Sequence, residues 1–290
     1  MLIPSVIYIE TTNLCNAKCI MCPHEKITRN PKIMDDRVFY KIIKDCKKNN
    51  IENVQIFLHK EGEPLLDKKI FTRIKYVKDE IGMKNEIGIN TNAMLLSKEN
   101  SRKLIESGLD TIYFSVDGIE KTKYEKIRKN LDYDIVVNNI KEFFKIKLEL
   151  KSSIKVIMQM LTTEDNSWDE KIFKEIWGKY PCEFYIKRMH SYLDGGRSSL
   201  TKELERKQIK TCEDPFKILV IYTNGEVGLC CWDYNNEYSI GNILEKDLVL
   251  LFNNEKAHTM RKAQEKLECK NIIPCNRCRR IFGKDLISKY

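Results

Sequence analysis

Cys15, Cys19 and Cys22, within "CNAKCIMC", set three thiols on a C-x3-C-x2-C spacing just after the apolar stretch "SVIYIETTNL". Four thiolates close a tetrahedral site, as in structural zinc or an ordinary iron–sulfur cluster. Three thiolates on a four-iron cluster leave one iron with an open position, where a small molecule can bind and react. A zinc knuckle that borrows a later ligand is the competing reading of this spacing. Of the chain's 11 cysteines, Cys212, Cys230, Cys231, Cys269, Cys275 and Cys278 form a second group, while Cys46 and Cys182 stand alone. Where thiols are kept reduced, clustered cysteines point to metal or catalysis rather than to disulfides.

The elements that must position these thiols show in the alternation between the two groups. Apolar strands are expected at 6–11, 53–58, 86–90, 111–116, 154–160 and 183–188. Helical periodicities lie between them, carried by Val38, Phe39, Ile42, Ile43 and Cys46, by Ile70, Phe71, Ile74 and Val77, and by Leu104 and Ile105 behind a Ser97 cap. Val136, Ile140, Phe143 and Phe144, then Ile172, Phe173 and Ile176, continue the series. Six βα units predict an α/β fold with a parallel sheet, whose chemistry sits on loops at the C-terminal ends of the strands. The first cysteine group falls on the first such loop. Cys46 lies on an apolar helical face and reads as a core thiol.

The pattern turns polar around 189–211, a boundary. Beyond it, apolar residues flank Asn224-Gly225, a hairpin signal, and a helix is expected at about 246–266 before "ECKNIIPCNRCRR". The chain thus divides into a core over 1–205 and a small cysteine-rich α+β segment over 206–290. A length of 290 residues with 42% hydrophobic and 32% charged residues suits a globular protein. The start has no basic n-region, and no apolar run approaches the roughly 18 residues of a membrane span. A soluble, cytoplasmic protein without a membrane partner is expected. The net charge of +9 is spread as single lysines and short pairs, with no nucleic-acid module, so it points at most to anionic small molecules.

The first cysteine loop resembles the signature of the radical S-adenosylmethionine (SAM) superfamily, and further segments match in order. Gly62, Glu63 and Pro64 in "KEGEPLL" resemble the glycine-rich turn that receives the SAM amino group. Asn90, Thr91 and Asn92 in "INTNAML" resemble a segment lining the SAM pocket. Ser115 and Asp117 in "FSVDG" are similar to the family's Ser-x-Asp-Gly, and Arg128 is placed like a residue reaching the SAM carboxylate. Met21 stands where an aromatic near the adenine is usual, Glu61 where the turn's first glycine is usual, and Gln159 matches an adenine contact only loosely.

The resemblance implies a partial (β/α)6 TIM-like barrel and a [4Fe–4S] cluster on Cys15, Cys19 and Cys22 whose open iron chelates SAM. It also implies an external electron donor such as flavodoxin or ferredoxin, and a radical that abstracts hydrogen from an unactivated C–H bond.

The C-terminal group resembles the SPASM/twitch appendage through Cys212, Gly225, Cys230 and the pair Cys275 and Cys278. That implies one auxiliary [4Fe–4S] cluster, because six thiols are too few for two fully ligated ones. Cys231 and Cys269 are left over, and either can replace Cys230 or Cys275; a structural zinc site suits the same spacing. Twitch-bearing members include sugar and cyclitol dehydrogenases, whereas longer SPASM members modify peptides. With no leader-peptide-binding segment visible, the expected reaction is dehydrogenation of a small polar substrate of the sugar, cyclitol or nucleotide-sugar kind, with the auxiliary cluster as electron acceptor. Epimerisation, with Cys231 or Cys182 returning hydrogen, peptide modification, and a non-enzymatic zinc or iron–sulfur protein are the alternatives. Asp117, His190 and Asp194 are candidate bases on loops at strand C-terminal ends, and Arg197 could hold an anionic substrate group.

Overall fold

The computed structural model describes residues 1–162, 169–188 and 210–282. In chain order the elements are β1 (Val6–Ile9), β2 (Lys18–Cys19), α1 (Asp36–Lys48), β3 (Gln55–Phe57), α2 (Ile70–Ile81), β4 (Glu86–Thr91), α3 (Lys98–Glu106), β5 (Thr111–Ser115), α4 (Lys121–Ile127), β6 (Arg128–Lys129), α5 (Tyr133–Glu149), β7 (Lys155–Thr162), α6 (Glu170–Trp177) and β8 (Glu183–Arg188). The C-terminal segment adds α7 (Asp214–Lys217), β9 (Ile218–Ile221), β10 (Glu226–Gly228), β11 (Gly241–Asn242), α8 (Leu248–Phe252) and α9 (Glu255–Glu265).

Period-2 alternation sends one set of strand side chains under the helices. Ile7, Ile9, Ile56, Ile87, Ile89 and Ile112 are fully buried there, against Val38, Phe39, Ile42 and Ile43 of α1, Ile74 of α2 and Phe143 of α5. Cys46 belongs to this core and is fully buried, as its helical face requires. The side chains of Ser97 and Asp132 cap α3 and α5 by accepting from the Asn100 and Ile135 amides. On α6 the buried residues are Phe173 and Trp177, whereas Ile172, placed by periodicity on the same face, is 45% exposed.

One nine-stranded sheet runs in the order β11-β10-β9-β1-β3-β4-β5-β7-β8. The six core strands are parallel and form the partial barrel, an α/β fold as expected. The strand boundaries shift by at most two residues and the last strand keeps its expected bounds; the first ends at Ile9 rather than at residue 11, where the Thr11 amide turns back onto the Ile9 carbonyl and its hydroxyl donates to the Leu58 carbonyl. The junction expected at 205/206 lies outside the described residues. The C-terminal hairpin does not stand apart from the core: β9 pairs in parallel with β1 over Val6↔Ile218 to Ile9↔Ile221, and β10 and β11 extend the same sheet. The single helix expected at 246–266 is two, since the Asn254 side chain accepts from the Ala257 amide and donates to the Ile240 carbonyl, ending α8 and starting α9.

Candidate active site

Loop 13–22 leaves β1 at its C-terminal end and carries the three cysteines. Its conformation is pinned by β2, which pairs antiparallel with β6 and sets Cys19 against Arg128. The Arg128 Nη1 donates to the Cys19 sulfur at 3.7 Å, while its Nε and Nη2 each lie 2.7 Å from one Asp117 oxygen. The other Asp117 oxygen accepts from the Leu161 amide at 2.7 Å. Asp117 is fully buried, so its carboxylate orients Arg128 rather than standing free as a base. Burial works against the Arg128 charge, and Asp117 more than restores it. Burial raises the thiols of all three cysteines; for Cys22 the Glu61 carboxylate adds to it.

The turn after β3 is fastened to this loop through its backbone. A Cβ on Gly62 would sit 2.3 Å from the Thr12 carbonyl oxygen and 2.6 Å from that of Leu14. No side chain fits there, so the glycine lets the turn reach the cysteine loop. The Glu63 amide then donates to Leu14 at 2.8 Å. The buried Glu63 carboxylate accepts from the Leu65 amide, the Thr91 hydroxyl (2.7 Å) and the Asn92 amide (2.8 Å), and Pro64 opens a short 3-10 turn. Asn92 in turn donates to Asn16 inside the cysteine loop at 2.8 Å. Met21 is half-buried beside Cys22.

The second set of strand side chains faces the barrel lumen. Tyr8 stacks on Phe57 at 5.2 Å, and Phe57 meets Tyr113 edge-on at 6.0 Å. Gly88 lies between them on β4, and a Cβ there would fall 2.8 Å from the Phe57 ring. Nearer the strand ends, Ser115 donates to Asn90 (2.7 Å) and Asn90 donates to Gln159 (3.1 Å), a polar row across β5, β4 and β7. Gln159 therefore joins the predicted pocket residues, whereas Tyr8, Phe57, Tyr113 and His59 were not anticipated; the alternation within "NVQIFLH" was the available signal.

His59 Nδ1 accepts from the Asn90 amide at 3.1 Å, which leaves the proton on Nε2. Burial, with the adjacent Lys60 charge, pushes this imidazole down to about 3. An unfolded imidazole binds its proton near about 6.5, so between these values the unfolded state holds more protons and stability falls as pH falls. His59→Asn, which keeps an acceptor for Asn90, is expected to lose about 1 kcal/mol less than wild type between about pH 7.5 and 5.5, allowing for the ring's partial exposure. Thermal melts at the two pH values read the difference.

The C-terminal thiols gather beside β9 and α9. Gln264 joins two of these cysteines, accepting from the Cys212 backbone amide (3.0 Å) and donating to the Cys275 sulfur (3.4 Å). The Cys269 and Cys275 thiols share a hydrogen bond that, with burial, raises Cys275, and the Cys230 and Cys278 thiols lie near enough to act on it. Cys269, left over in the sequence, is thus a fifth member of this group. Cys231 points elsewhere: its thiol bonds Asp214 at 3.4 Å, Asp214 is clasped by Arg280, and the lumen ring of Tyr8 lies in their field. Cys182 donates to the Trp177 carbonyl and joins neither group. His190, Asp194 and Arg197 lie outside the described residues. Among the described residues no three His, Cys, Asp or Glu side chains close on a single metal ion.

Residues 9–176, more than half of the chain, match the Radical SAM superfamily profile. The chain belongs to the radical SAM superfamily. Residues 212–279 match SPASM, an iron–sulfur cluster-binding domain. This radical SAM chain is 24% identical over 295 residues to a tungsten-containing aldehyde ferredoxin oxidoreductase cofactor-modifying protein of Pyrococcus furiosus, covering 86% of the chain and 81% of that protein. It is 33% identical over 142 residues to a probable GTP 3',8-cyclase of Methanocaldococcus jannaschii, 48% of the chain and 45% of the cyclase, so it spans about half the length of that relative. Among solved structures, anSMEcpe with bound AdoMet superposes with a TM-score of 0.73 at 19% identity, covering 96% of this chain and 87% of the other. BtrN in complex with AdoMet and 2-DOIA superposes with a TM-score of 0.60 at 19% identity, covering 93% and 92%.

Membership brings SAM, a SAM-binding [4Fe–4S] cluster and an auxiliary cluster. The residues fit these groups: soft thiols on loops at the expected places, a cradle at Gly62 that any side chain would fill, and Gln264 tying the Cys212 backbone to the Cys275 sulfur. Among the described residues no helix is long and apolar enough to cross a membrane.

Proposed function

We propose that the chain is a radical SAM dehydrogenase of a small polar substrate of the sugar, cyclitol or nucleotide-sugar kind. The bound groups supply a radical that takes one hydrogen atom from a carbinol carbon and, after a proton leaves, a one-electron acceptor that completes oxidation to the carbonyl. Cys15, Cys19 and Cys22 hold the first cluster, and Cys212, Cys230, Cys275 and Cys278 the auxiliary one, with Cys269 as the spare thiol of that group. Gly62, Glu63, Pro64, Asn90, Asn92, Ser115, Asp117, Arg128 and Met21 form the SAM pocket, in which Arg128, held charged by Asp117, faces the SAM carboxylate. Tyr8, Phe57 and Tyr113 wall the lumen against water, and His59 offers its Nε2 proton to a substrate oxygen. Electrons enter from an external flavodoxin- or ferredoxin-like donor.

The observation that supports this reading is the pairing of β9 with β1, which joins the segment that carries the C-terminal thiols to the core sheet. The Cys275→Ala variant is expected to fall from roughly eight irons per chain to roughly four. It should still form deoxyadenosine yet yield no oxidised product; retention of all the iron would remove Cys275 from the ligand set.

Cys231 favours a second reading, epimerisation, because it lies next to the lumen and outside the gathered thiols. Peptide modification is a further alternative, since anSMEcpe, which shares the fold, holds a peptide alongside AdoMet. Sugars, cyclitols and nucleotide sugars incubated in heavy water separate the first two. A product two electrons more oxidised supports dehydrogenation, and deuterium fixed at carbon without oxidation supports epimerisation.

A further inference from the structure

Lys60 and Glu61 form an ion pair whose side chains are only 4% and 6% exposed. Burying two charges costs solvation that their attraction has to offset, so such a pair is weak evidence for stability. Its place in the fold is more informative. Glu61 directly precedes Gly62, whose backbone is pressed onto the Thr12 and Leu14 carbonyls at the entrance to the first cysteine loop. The Lys60 ammonium bonds the Glu61 carboxylate directly and reaches to 5.8 Å from the ring of Tyr222, which lies in the segment that leads from β9 to Cys230 and Cys231. Arg29 covers the same ring at 4.6 Å and is held by a bidentate bond to Glu10 (2.6 and 2.7 Å).

We propose that the Lys60–Glu61 pair is an electrostatic divider that separates the reduction potentials of the two cluster sites. Reduction adds negative charge to a cluster. A carboxylate nearby disfavours it and an ammonium favours it, and exclusion of water enlarges both effects. Glu61 holds the potential at Cys15, Cys19 and Cys22 down, and Lys60 holds the potential at the C-terminal thiols up. The pair therefore biases an electron released in the lumen toward the C-terminal site. The inference rests on the presence of two clusters and not on which reaction they serve.

The test is an EPR redox titration of the anaerobically reconstituted full chain, the core cluster being the one whose signal changes when SAM is added. Lys60→Met with Glu61→Gln, a near-isosteric neutral pair, is expected to narrow the gap by raising the core potential and lowering the auxiliary one. A gap unchanged or widened, with iron content at the wild-type level, overturns the proposal. If the double variant loses iron, Glu61→Gln alone decides: the core potential should rise more than the auxiliary one, and equal shifts or a larger auxiliary shift overturn it. These readouts need no substrate, so their failure is distinct from a failure to find oxidised product.

Discussion

Cys22→Ala is expected to reduce deoxyadenosine formation to background and to remove about half of the iron, while the C-terminal site keeps its cluster. The effect is large because loop 13–22 has only three thiols to offer, all partly shielded from water, and each raised thiol becomes a good ligand only by releasing its proton and binding the metal as thiolate. Removing one leaves two ligands on a cluster that already has one open iron. Arg128→Lys gives the scale for comparison. Arg128 stands behind Cys19 and is locked by Asp117, and loss of a partner behind a ligand typically costs about 10–100-fold. Lysine cannot reproduce the forked contact, so Arg128→Lys should fall in that range and Cys22→Ala should exceed it. Anaerobic iron counting and chromatography of deoxyadenosine measure both. A Cys22→Ala protein that cleaved SAM at the rate of Arg128→Lys would show that Cys22 is not a ligand.

Gly62→Ala carries the second large effect, through the backbone. The added Cβ would meet two carbonyl oxygens at 2.3 and 2.6 Å, and neither can swing aside as a side-chain tip would. Relieving the overlap means moving the turn off the cysteine loop, which also strains the Glu63 amide bond to Leu14. Overpacking of this kind costs about 3 kcal/mol, which lowers the melting temperature of a chain this size by about 6–12 °C. Iron uptake at the first site should fall with it. Gly82→Ala is the control: there the contact at 2.5 Å is with the Lys78 side chain, which can move, so the melt should barely change. Equal melts for the two variants would mean that the turn does not hold the loop.

The sequence announced the core more fully than the connections that make it work. Helix faces such as Val38, Phe39, Ile42, Ile43 and Cys46 repeat at helical spacing, and their burial follows from that spacing. The first cysteine loop and the Gly62–Pro64 turn are local patterns, readable wherever they occur. The β2–β6 pairing that joins Cys19 to Arg128 is two residues long and spans more than a hundred residues of chain, so no periodicity marks it. The pairing of β9 with β1 is similarly silent, because a short apolar strand does not say which edge it will extend. The lumen wall was legible in part: Tyr8, Phe57 and His59 alternate with buried Ile7, Ile56 and Leu58, but a ring facing inward looks the same in sequence as one facing solvent. Cys269 joined the C-terminal thiols only through tertiary contact, since Cys212, Cys275 and Gln264 come together around it.

The most direct measurement is the iron, sulfide and zinc content of the anaerobically purified and reconstituted full chain, taken on the same sample that is assayed for SAM cleavage under a strong reductant. Roughly eight irons with matching sulfide, no zinc, and deoxyadenosine formation are expected, one four-iron cluster at each thiol group. Roughly four irons with one zinc would contradict a redox-active C-terminal site and take the electron acceptor away from the dehydrogenase.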